Sequence, residues 1–310
     1  KVVVVTGSSR GIGKAISIQL ARSGAKVVIS SRKEEACEAV YDELRKEGHE
    51  VLCLPCHVGE RDQVENLIKK TVEKWGRIDS LICNAATNPA FGPISNLTDK
   101  AFDKIMNINL KSSLWLSNLS VPHMVKNGGG SIILMSSITA FVGTDTIGAY
   151  GISKAAEASL VRNLAVELGP KGIRVNGIAP GLIKTDFSKA LWENPKLLEK
   201  QEKQTPLRRI GRPDDIAGIA HFLVCDASSY IAGQLIVADG GETISISGDT
   251  VNTSSVGTYI ITYSATDLAG NTSSLNRTVT IYKSSYSYTG SAQTFTVPPS
   301  ITSIHVDAYG

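Results

Sequence analysis

The feature that most constrains the fold is an alternation of short apolar runs with amphipathic segments across residues 1–242. The run Val2–Val5 is apolar at every position, which is typical of a strand that is buried on both faces of a sheet. The following segment carries Ile12, Ile16 and Leu20 at helical spacing. Repeated strand–helix alternation predicts right-handed crossovers and a parallel sheet with helices on both faces.

The same alternation continues to residue 238. The predicted strands are 2–5, 27–30, 51–55, 81–84, 131–136, 174–178 and 235–238. The predicted helical segments are 12–22, 34–47, 63–74, 99–125, about 149–168 and 214–224. The expected fold class is α/β, a Rossmann-type doubly wound parallel sheet, and ligands of such sheets bind beyond the carboxyl ends of the strands.

Composition changes abruptly after Gly241. Residues 243–310 contain no Cys, Trp, Glu or Met, and 26 of these 68 residues are Ser or Thr. The formal net charge is +4 for residues 1–242 and −1 for the remainder. Neither value indicates a nucleic-acid partner, and no cluster of Lys and Arg follows one face.

The Ser/Thr-rich extension predicts β-structure of a different kind. Residues 258–266 and 276–282 are rich in β-branched and aromatic side chains, and a turn is predicted between them at 267–271. The two strands resemble the last strands of bacterial immunoglobulin-like surface modules. The earlier strands of such a sandwich are absent from the sequence, so we expect an incomplete all-β C-terminal extension.

Residues 292–299 resemble the opening of another secreted β module. The sequence therefore predicts three segments: the α/β domain at 1–242, a partial immunoglobulin-like fragment at 243–283, and a truncated module start at 284–310. Half a sandwich cannot close its core. This favours a fusion or an assembly artefact over a working two-domain design.

The five cysteines all lie before the change in composition, at Cys37, Cys53, Cys56, Cys83 and Cys225. Their odd number and irregular spacing indicate free thiols in a reducing compartment. Cys53 and Cys56 have the spacing of a redox or metal pair, but they end an apolar run and no second pair stands at ligand spacing. Packing in a strand is the favoured interpretation, and no metal site is predicted.

No apolar run approaches the roughly 20 residues of a membrane span. The sequence opens directly on a strand without a signal peptide. We therefore expect a cytoplasmic protein with no membrane association.

A glycine-rich turn joins the first strand to the first helix and reads Thr6-Gly7-Ser8-Ser9-Arg10-Gly11-Ile12-Gly13. Glycines permit close backbone approach to a diphosphate, and a helix N-terminus offers unpaired amides and a positive dipole end. The spacing is Gly-x-x-x-Gly-x-Gly, not Gly-x-Gly-x-x-Gly. Its position between a buried strand and an amphipathic helix predicts a dinucleotide phosphate site.

The residues after the second predicted strand discriminate between dinucleotides. An acid there would bind the ribose diol of NAD, whereas a base accommodates a 2′-phosphate. The sequence has Ser31 and Arg32 and no acid, and Arg32 with Arg10 can bind a phosphate. We therefore predict NADP(H) in preference to NAD(H). The alternative is that Arg32 only solvates a loop.

Tyr150 and Lys154 are four residues apart on a predicted helix, which places them one turn apart on the same face. An adjacent ammonium favours phenolate, so Lys154 is expected to lower the pKa of Tyr150 toward neutral pH. A chance surface pair is the alternative for these two residues taken alone.

These motifs together resemble the short-chain dehydrogenase/reductase family. The resemblance covers residues 1–241 and rests on the glycine turn, Asn84-Ala85-Ala86, Asn109, Ser136-Ser137, Tyr150 with Lys154, and Pro180-Gly181. Within the family, segments such as 179–185 resemble the NADP-dependent carbonyl and retinal reductases of the dehydrogenase/reductase member four type.

The resemblance implies a catalytic role for four residues. Tyr150 would exchange a proton with the carbonyl or alcohol oxygen, and Lys154 would hold the nicotinamide ribose. Ser137 would bind the substrate oxygen, with Ser136 as the competing candidate, and Asn109 would hold a water that links Lys154 to solvent. Ordinary alternatives are that Asn109 caps a turn and that Ser137 makes a local backbone bond.

The resemblance also implies a set of cofactor contacts. Asn84 would lie on the ribose side of the cofactor and Ile183 and Thr185 near the carboxamide, although Thr185 is equally suited to an N-cap. The predicted cofactor-binding residues are Thr6, Gly7, Ser9, Arg10, Gly11, Ile12, Gly13, Ser31, Arg32, His57, Val58, Asn84, Ala85, Ala86, Tyr150, Lys154, Pro180, Gly181, Ile183 and Thr185.

Two positions depart from the family pattern. His57 stands where members usually carry an Asp that faces the adenine, so the adenine contact is in doubt unless the imidazole takes over the hydrogen bond. Ala86 replaces the usual final glycine of the Asn-Ala-Gly run, which narrows a turn near the cofactor.

Residues 182–210 are polar and irregular, and Trp192, Pro195 and Pro206 are expected to break any long helix. In this fold the segment covers the substrate. Its Phe187 and its neighbours Leu182, Leu191 and Trp192 form an apolar wall for a hydrophobic ketone or aldehyde, or they pack the segment itself.

Two functions remain open from the sequence. The first is an NADP-dependent oxidoreductase, formed by residues 1–242, that interconverts a small-molecule carbonyl and an alcohol. The family resemblance implies a homotetramer or homodimer, and the Tyr150 helix, apolar on several faces, suits a partner subunit. The second is a cell-surface binding or structural protein in which the dinucleotide fold is a relic. The free cysteines favour the first.

Overall fold

The computed structural model describes residues 1–243, 245–248, 257–266 and 272–281. The chain divides into two units, residues 1–243 and 244–310. The predicted turn at 267–271 and the predicted module start at 284–310 lie outside the described residues.

The first unit is built on a seven-stranded parallel sheet of order β3-β2-β1-β4-β5-β6-β7. Its strands are β1 Val2–Thr6, β2 Lys26–Ser30, β3 Val51–Cys53, β4 Ser80–Cys83, β5 Gly130–Met135, β6 Ile173–Pro180 and β7 Leu235–Ala238. In the register, Val5 lies opposite Ile29 of β2 and Ile82 of β4. The strand order reverses beside β1, so the predicted doubly wound sheet is confirmed, with its topological switch point at the glycine turn.

Helices cover both faces of this sheet. They are α1 Gly11–Arg22, α2 Glu34–Lys46, α3 Arg61–Trp75, α4 Asp99–Ile105, α5 Ser112–Lys126, α6 Gly148–Leu168, α7 Lys189–Trp192, α8 Pro195–Gln204 and α9 Pro213–Val224. Buried side chains of α1, α2 and α9 form one core cluster, and those of α3, α5 and α6 form the other. Val3 and Val5 of β1 belong to the first cluster and Val4 to the second, as the two-residue period of a strand requires.

Three segments differ from the sequence-based expectation. The helix predicted over 99–125 is interrupted by a π-helical stretch, Met106–Lys111, and π-bulges of this kind occur often at functional sites. The strand predicted over 51–55 ends at Cys53, because Pro55 cannot donate to a sheet. The prediction that residues 182–210 are irregular is wrong in part.

That segment contains α7 and α8. Pro195 occupies the first turn of α8, where its missing N–H costs nothing, and the Asn194 side chain accepts from the N–H groups of Lys196 (3.1 Å) and Leu197 (3.3 Å). Pro195 therefore begins a helix instead of breaking one.

The second unit contains an antiparallel sheet of order β10-β9-β8, formed by Ser245–Gly248, Gly257–Thr266 and Thr272–Ile281 as β8, β9 and β10. β9 and β10 pair over their full lengths, from Gly257 opposite Ile281 to Thr266 opposite Thr272. The predicted antiparallel β extension is confirmed for these residues. Among the helices of the described residues, none combines the length and apolarity that crossing a membrane demands.

Candidate active site

The turn after β1 leaves no space for a side chain at its glycine positions. Gly7 and Gly11 have φ angles of +66° and +54°, in the left-handed region that favours glycine. A Cβ on Gly13 would lie 2.3 Å from the carbonyl oxygen of Gly7. The turn therefore presents bare backbone at the N-terminus of α1, beside half-buried Ser9 and Ile12, and this shape fits the diphosphate of a dinucleotide.

Thr6 and Asn84 bind the glycine turn to the end of β4. Thr6 Oγ1 accepts from the N–H groups of Asn84 (3.1 Å) and Ala85 (3.2 Å), and Ala86 follows half-buried. Asn84 Nδ2 donates to the carbonyl oxygens of Thr6 (2.9 Å) and Gly7 (3.2 Å). The Asn84 amide, which is predicted to lie on the ribose side of the cofactor, thus binds the backbone of the glycine turn.

Ser8 belongs to the same support, although it was not among the predicted site residues. Its side chain is fully buried, accepts from the N–H of Ser30 (2.7 Å) and donates to the carbonyl of Val5 (2.8 Å). Ser8 therefore fixes the turn against the end of β2. The sequence signal for this role was a small hydroxyl residue between two glycines of a turn that passes close to the neighbouring strands.

The residues after β2 leave cations accessible. Ser31 is half-buried with its Oγ 3.1 Å from Cys37 Sγ, and Arg32 is exposed. Arg10 is also exposed, and its Nη1 lies 3.6 Å from Asp186 Oδ2. The structure thus gives two guanidinium groups that can reorient toward a bound phosphate.

His57 and Val58 follow β3. Val58 is buried, and His57 folds back so that its Nδ1 accepts from the N–H of Gly59 at 3.1 Å. In neutral His57 the proton is therefore on Nε2, which makes that atom a donor. An Asp at this position would offer a hydrogen-bond acceptor. His57 instead offers a donor where the family pattern provides an acceptor.

The segment after β6 lies against the glycine turn. Pro180 ends β6, and a Cβ on Gly181 would lie 2.8 Å from Asp239 Cβ. Ile183 is buried, and the Thr185 methyl group would be 3.3 Å from a Cβ on Gly11. The structure therefore brings Thr185 beside the turn.

Thr185 also begins a short 3₁₀ turn, Asp186–Ser188, with its Oγ1 3.2 Å from Ser188 Oγ. The N-cap alternative is thus correct for this residue, and it does not exclude a cofactor contact. Trp192 Nε1 donates to the Thr185 carbonyl oxygen at 2.8 Å.

Tyr150 lies in the first turn of α6, where three other groups meet it. The Ser137 side chain faces its hydroxyl and lowers its pKa, its ring centre is 5.8 Å from that of Phe187, and Lys154 Nζ is 5.4 Å from the ring centre. Ser136 Oγ donates instead to the Lys154 carbonyl at 2.9 Å. The geometry therefore favours Ser137 over Ser136 as the partner of a substrate oxygen.

Ser137 also makes the local backbone bond that was considered as its alternative. Its Oγ accepts from the N–H of Thr139 at 3.2 Å. This bond orients the hydroxyl and leaves its hydrogen free to donate.

Burial dominates the pKa of Tyr150. Burial raises the pKa of the phenol, the Lys154 ammonium lowers it by a smaller amount, and the balance lies above the ordinary value. The expectation that Lys154 brings this pKa below its ordinary value is therefore not met by the chain alone. The reason is that the loss of solvation on burial outweighs the attraction of the Lys154 ammonium.

Lys154 is bound on the core side of α6. Its Nζ donates to the Met135 carbonyl (2.7 Å) and to Glu157 Oε2 (2.5 Å), and the residue is 1% exposed. Burial by itself lowers the pKa of Lys154, but the Glu157 carboxylate and Tyr150 raise it, and the balance lies above the ordinary value.

Glu157 was not among the predicted site residues. It is 1% exposed, and its Oε1 accepts from Ser113 Oγ at 3.3 Å. Burial raises the pKa of Glu157 to about 7, although Lys154 opposes the rise. The available signal was a lone acid three residues after the lysine, on a helix stretch that is otherwise apolar or small.

Asn109 lies in the π-helical stretch and is fully buried. Its side chain binds both backbone groups of Thr87, at 2.8 Å and 3.1 Å, and donates to Ser153 Oγ at 2.9 Å. The backbone carbonyl oxygen of Asn109 accepts from Ser113 Oγ at 3.2 Å. Asn109 therefore holds the loop after β4 and is joined to Glu157 through Ser113.

The cysteines are free thiols. Burial raises the pKa of Cys53 to about 11 and the pKa values of Cys56 and Cys83 to about 12, so these thiols stay protonated at neutral pH. Within the part of the chain that the structure describes, no group of three or more His, Cys, Asp or Glu residues is placed to hold a metal ion.

Comparison with known proteins agrees with this geometry. A family model described as enoyl-(acyl carrier protein) reductase matches residues 7–243. Dehydrogenase/reductase SDR family member 4 of Sus scrofa is 44% identical over 241 residues, which cover 78% of this chain and 86% of the relative. A family model for the immunoglobulin-like domain of bacterial surface proteins matches residues 230–281.

Two solved structures are also similar over 78% of this chain. A 7α-hydroxysteroid dehydrogenase in complex with NADH and 7-oxo glycochenodeoxycholic acid is 38% identical, with a TM-score of 0.75 and 93% of its chain covered. A gluconate 5-dehydrogenase from Burkholderia cenocepacia in complex with NADP and tartrate is 31% identical, with a TM-score of 0.75 and 95% of its chain covered.

These matches confirm the resemblance drawn from the motifs. The family-model match spans the glycines of the turn after β1, the Tyr150 helix and the six parallel strands β2–β7. The chain therefore belongs to the short-chain dehydrogenase/reductase family and is an NAD(P)-dependent oxidoreductase.

Proposed function

We propose that the enzyme reduces ketones or aldehydes to alcohols, and runs the reverse reaction, with NADP(H) as its preferred cofactor and Tyr150 as its general acid and base. The proposal rests on one observation. Tyr150 faces the Ser137 side chain and stands beside Lys154, at the end of the sheet that carries a glycine turn with no room for a Cβ.

Tyr150 and Ser137 act on the same substrate oxygen. Ser137 donates a hydrogen bond to the carbonyl oxygen and stabilises the negative charge that develops there. The bound nicotinamide supplies the hydride. Tyr150 transfers its proton to the same oxygen, which completes the alcohol.

The raised pKa of Tyr150 is consistent with a proton donor. A phenol that stays protonated at neutral pH is still far more acidic than an alcohol, so it gives its proton to a developing alkoxide. Lys154 stabilises the phenolate that remains, because the ammonium lies 5.4 Å from the ring centre.

The preference for NADP(H) rests on Arg10 of the glycine turn and on Ser31 and Arg32 after β2. Arg10 and Arg32 are exposed cations, and Ser31 adds a hydroxyl, which together suit a 2′-phosphate. Gly7, Gly11 and Gly13 would hold the diphosphate against the N-terminus of α1, and His57 would donate to the adenine.

The rim around Tyr150 favours an apolar substrate. Large apolar side chains are exposed on three segments that border this end of the sheet: Phe91, Ile94, Phe141, Val142 and Phe187. The first two segments are joined, since the Gly92 N–H donates to the Thr146 carbonyl oxygen at 2.8 Å. A ketone with a bulky hydrocarbon body would bury this apolar area, as would a steroid of the type named in the hydroxysteroid dehydrogenase structure.

We also propose a homodimer or homotetramer, with a reducing and cytoplasmic setting. Val166 of α6 is 80% exposed and Leu114 of α5 is 38% exposed, although both helices border the core. Apolar side chains on neighbouring helices suit a second copy of the chain. Free, protonated thiols suit a reducing compartment.

The test begins with NADPH and NADH titrations of the full chain, followed by fluorescence, and continues with a panel of ketones that ranges from small and polar to bulky and apolar. We expect tighter binding of NADPH and the highest kcat/KM for bulky apolar ketones. Tighter binding of NADH would overturn the cofactor preference, and absence of turnover across the panel would overturn the reaction.

A further inference from the structure

The least expected feature of the site is an ion pair beneath it. Lys154 and Glu157 are each 1% exposed, and Lys154 Nζ lies 2.5 Å from Glu157 Oε2. Removing two charges from water carries a large desolvation penalty, so a buried ion pair adds little net stability. Stability alone therefore does not account for the Lys154–Glu157 pair. An apolar residue at position 157 would fill the same space between α5 and α6 without that penalty.

The carboxyl group is connected in two directions. Toward the reacting groups, Oε2 binds Lys154, whose Nζ is 5.4 Å from the centre of the Tyr150 ring. Away from them, Oε1 binds Ser113 Oγ at 3.3 Å, and the same hydroxyl lies 3.2 Å from the Asn109 carbonyl oxygen. Glu157 therefore links Lys154 to Ser113, whose hydroxyl contacts Asn109 of the π-helical stretch.

We propose that Glu157 is a positioning residue that fixes the Lys154 ammonium and stores the proton that restores Tyr150 after each reduction. The proposal rests on the proposed function, because it assigns a proton source to the same site.

The proton balance is complete. Reduction breaks the O–H bond of Tyr150 and forms the O–H bond of the alcohol, which leaves a phenolate. Lys154 returns a proton to that phenolate, and the neutral Glu157 acid then gives its proton to the lysine amine, which restores the ammonium. The resulting carboxylate takes up one proton from solvent before the next reduction, so each turnover consumes one proton.

The surroundings leave Glu157 as the group that titrates. The groups facing it are Lys154 and Tyr150 of α6, Ser113 of α5, Cys83 of β4 and, beyond Lys154, the Met135 carbonyl of β5. The pKa of Cys83 is about 12 and the pKa values of Tyr150 and Lys154 lie above their ordinary values, so these three keep their protons near neutral pH. The pKa of Glu157 is about 7.

The first arm of the test uses the cofactor-free full chain and needs no turnover. Because the folded pKa of Glu157 is raised above its ordinary value, this group stabilises the fold at low pH and loses that contribution as pH rises toward 7. The denaturation midpoint of the wild type should fall relative to that of Glu157→Gln between pH 5 and 7.5. Glu167→Gln, which alters an exposed acid of the same helix, should follow the wild type.

The second arm measures kcat for ketone reduction against pH. We expect the wild type to lose rate as pH rises through about 7, and Glu157→Gln to be about tenfold slower at pH 6, flat across that range and unchanged in KM. Ser113→Ala should move the inflection to higher pH, because the Ser113 hydrogen bond lowers the pKa of Glu157.

The outcomes separate the two proposals. If the wild type reduces no ketone, the proposed function fails, while the first arm still reports on the pair. If the wild type turns over and Glu157→Gln and Ser113→Ala keep its pH profile, Glu157 is only structural and the reservoir is overturned. If Glu157→Gln does not fold, the shift in Ser113→Ala decides the same question.

Discussion

The two ends of the cofactor site are built in opposite ways. At the Tyr150 end, Lys154, Glu157, Asn109 and Ser137 are bonded to other protein groups, and the first three are buried. At the other end, the cations Arg10 of the glycine turn and Arg32 after β2 are exposed. In the proposed function, the groups that carry the chemistry are therefore fixed by the core before any ligand binds, whereas the choice of dinucleotide depends on exposed side chains.

The largest effect should come from breaking the buried pair. Lys154→Met leaves the Glu157 carboxyl buried without its cation, which should cost about 3–5 kcal/mol of unfolding free energy at pH 8, and less at pH 6, where the carboxyl is neutral. Adding Glu157→Leu should recover most of the loss without restoring turnover. Chemical denaturation of the two variants measures this, and no recovery in the double variant would show that the two residues are not coupled.

Ser137 and Ser136 offer the next comparison, because they are neighbours with different partners. Ser137→Ala should lower kcat about 100-fold, since it removes a donor to the developing oxyanion. Ser136→Ala should lower kcat much less and cost about 1 kcal/mol of stability, since it removes a buried hydrogen bond to the Lys154 carbonyl. Steady-state kinetics and denaturation of both variants check the assignment, and the reverse pattern would make Ser136 the catalytic serine.

The glycine turn should tolerate no side chain at Gly13. Gly13→Ala should cost about 1–3 kcal/mol, because its Cβ meets backbone, and should weaken NADPH binding. Gly218→Ala is the matched control, since a Cβ on Gly218 of α9 meets nothing within 4 Å. Unfolding midpoints and NADPH titration of both variants give the comparison, and full NADPH affinity in Gly13→Ala would contradict the role of the turn.

The smallest effect should lie at the exposed end. Arg32→Ala should weaken NADPH binding about tenfold, or about 1.4 kcal/mol, and leave NADH binding unchanged. Arg45→Ala, an exposed cation near the far end of α2, should change neither. Equal losses for both dinucleotides in Arg32→Ala would mean that Arg32 contributes to folding or to general binding and does not select the 2′-phosphate.

The sequence predicted the framework and the glycine turn because both depend on local patterns. An all-apolar strand, a glycine run and a helix with Tyr150 and Lys154 one turn apart are each visible within a few residues. The seven-stranded parallel sheet and the antiparallel pairing of β9 with β10 followed from such patterns.

The remaining features depend on contacts between segments that are distant in sequence. Asn84 supports Gly7 only because β1 and β4 are neighbours, and Glu157 is buried only because α5 packs beside α6 near the end of β4. An acid three residues after a lysine normally forms a solvent-exposed helix pair, so its local pattern predicts the wrong environment. Pro195 likewise reads as a helix breaker until Asn194 is seen to cap the helix that it begins.

Ketone reduction by Tyr150→Phe, measured together with NADPH binding in the same preparation, tests the assignment of the proton donor most directly. We expect kcat to fall at least 100-fold while the Kd for NADPH changes less than about threefold, because only the proton donor is removed. Tyr230→Phe, at a fully exposed tyrosine, should match the wild type. Substantial turnover by Tyr150→Phe, or an equal loss of rate and NADPH binding, would contradict the assignment of Tyr150 as the proton donor.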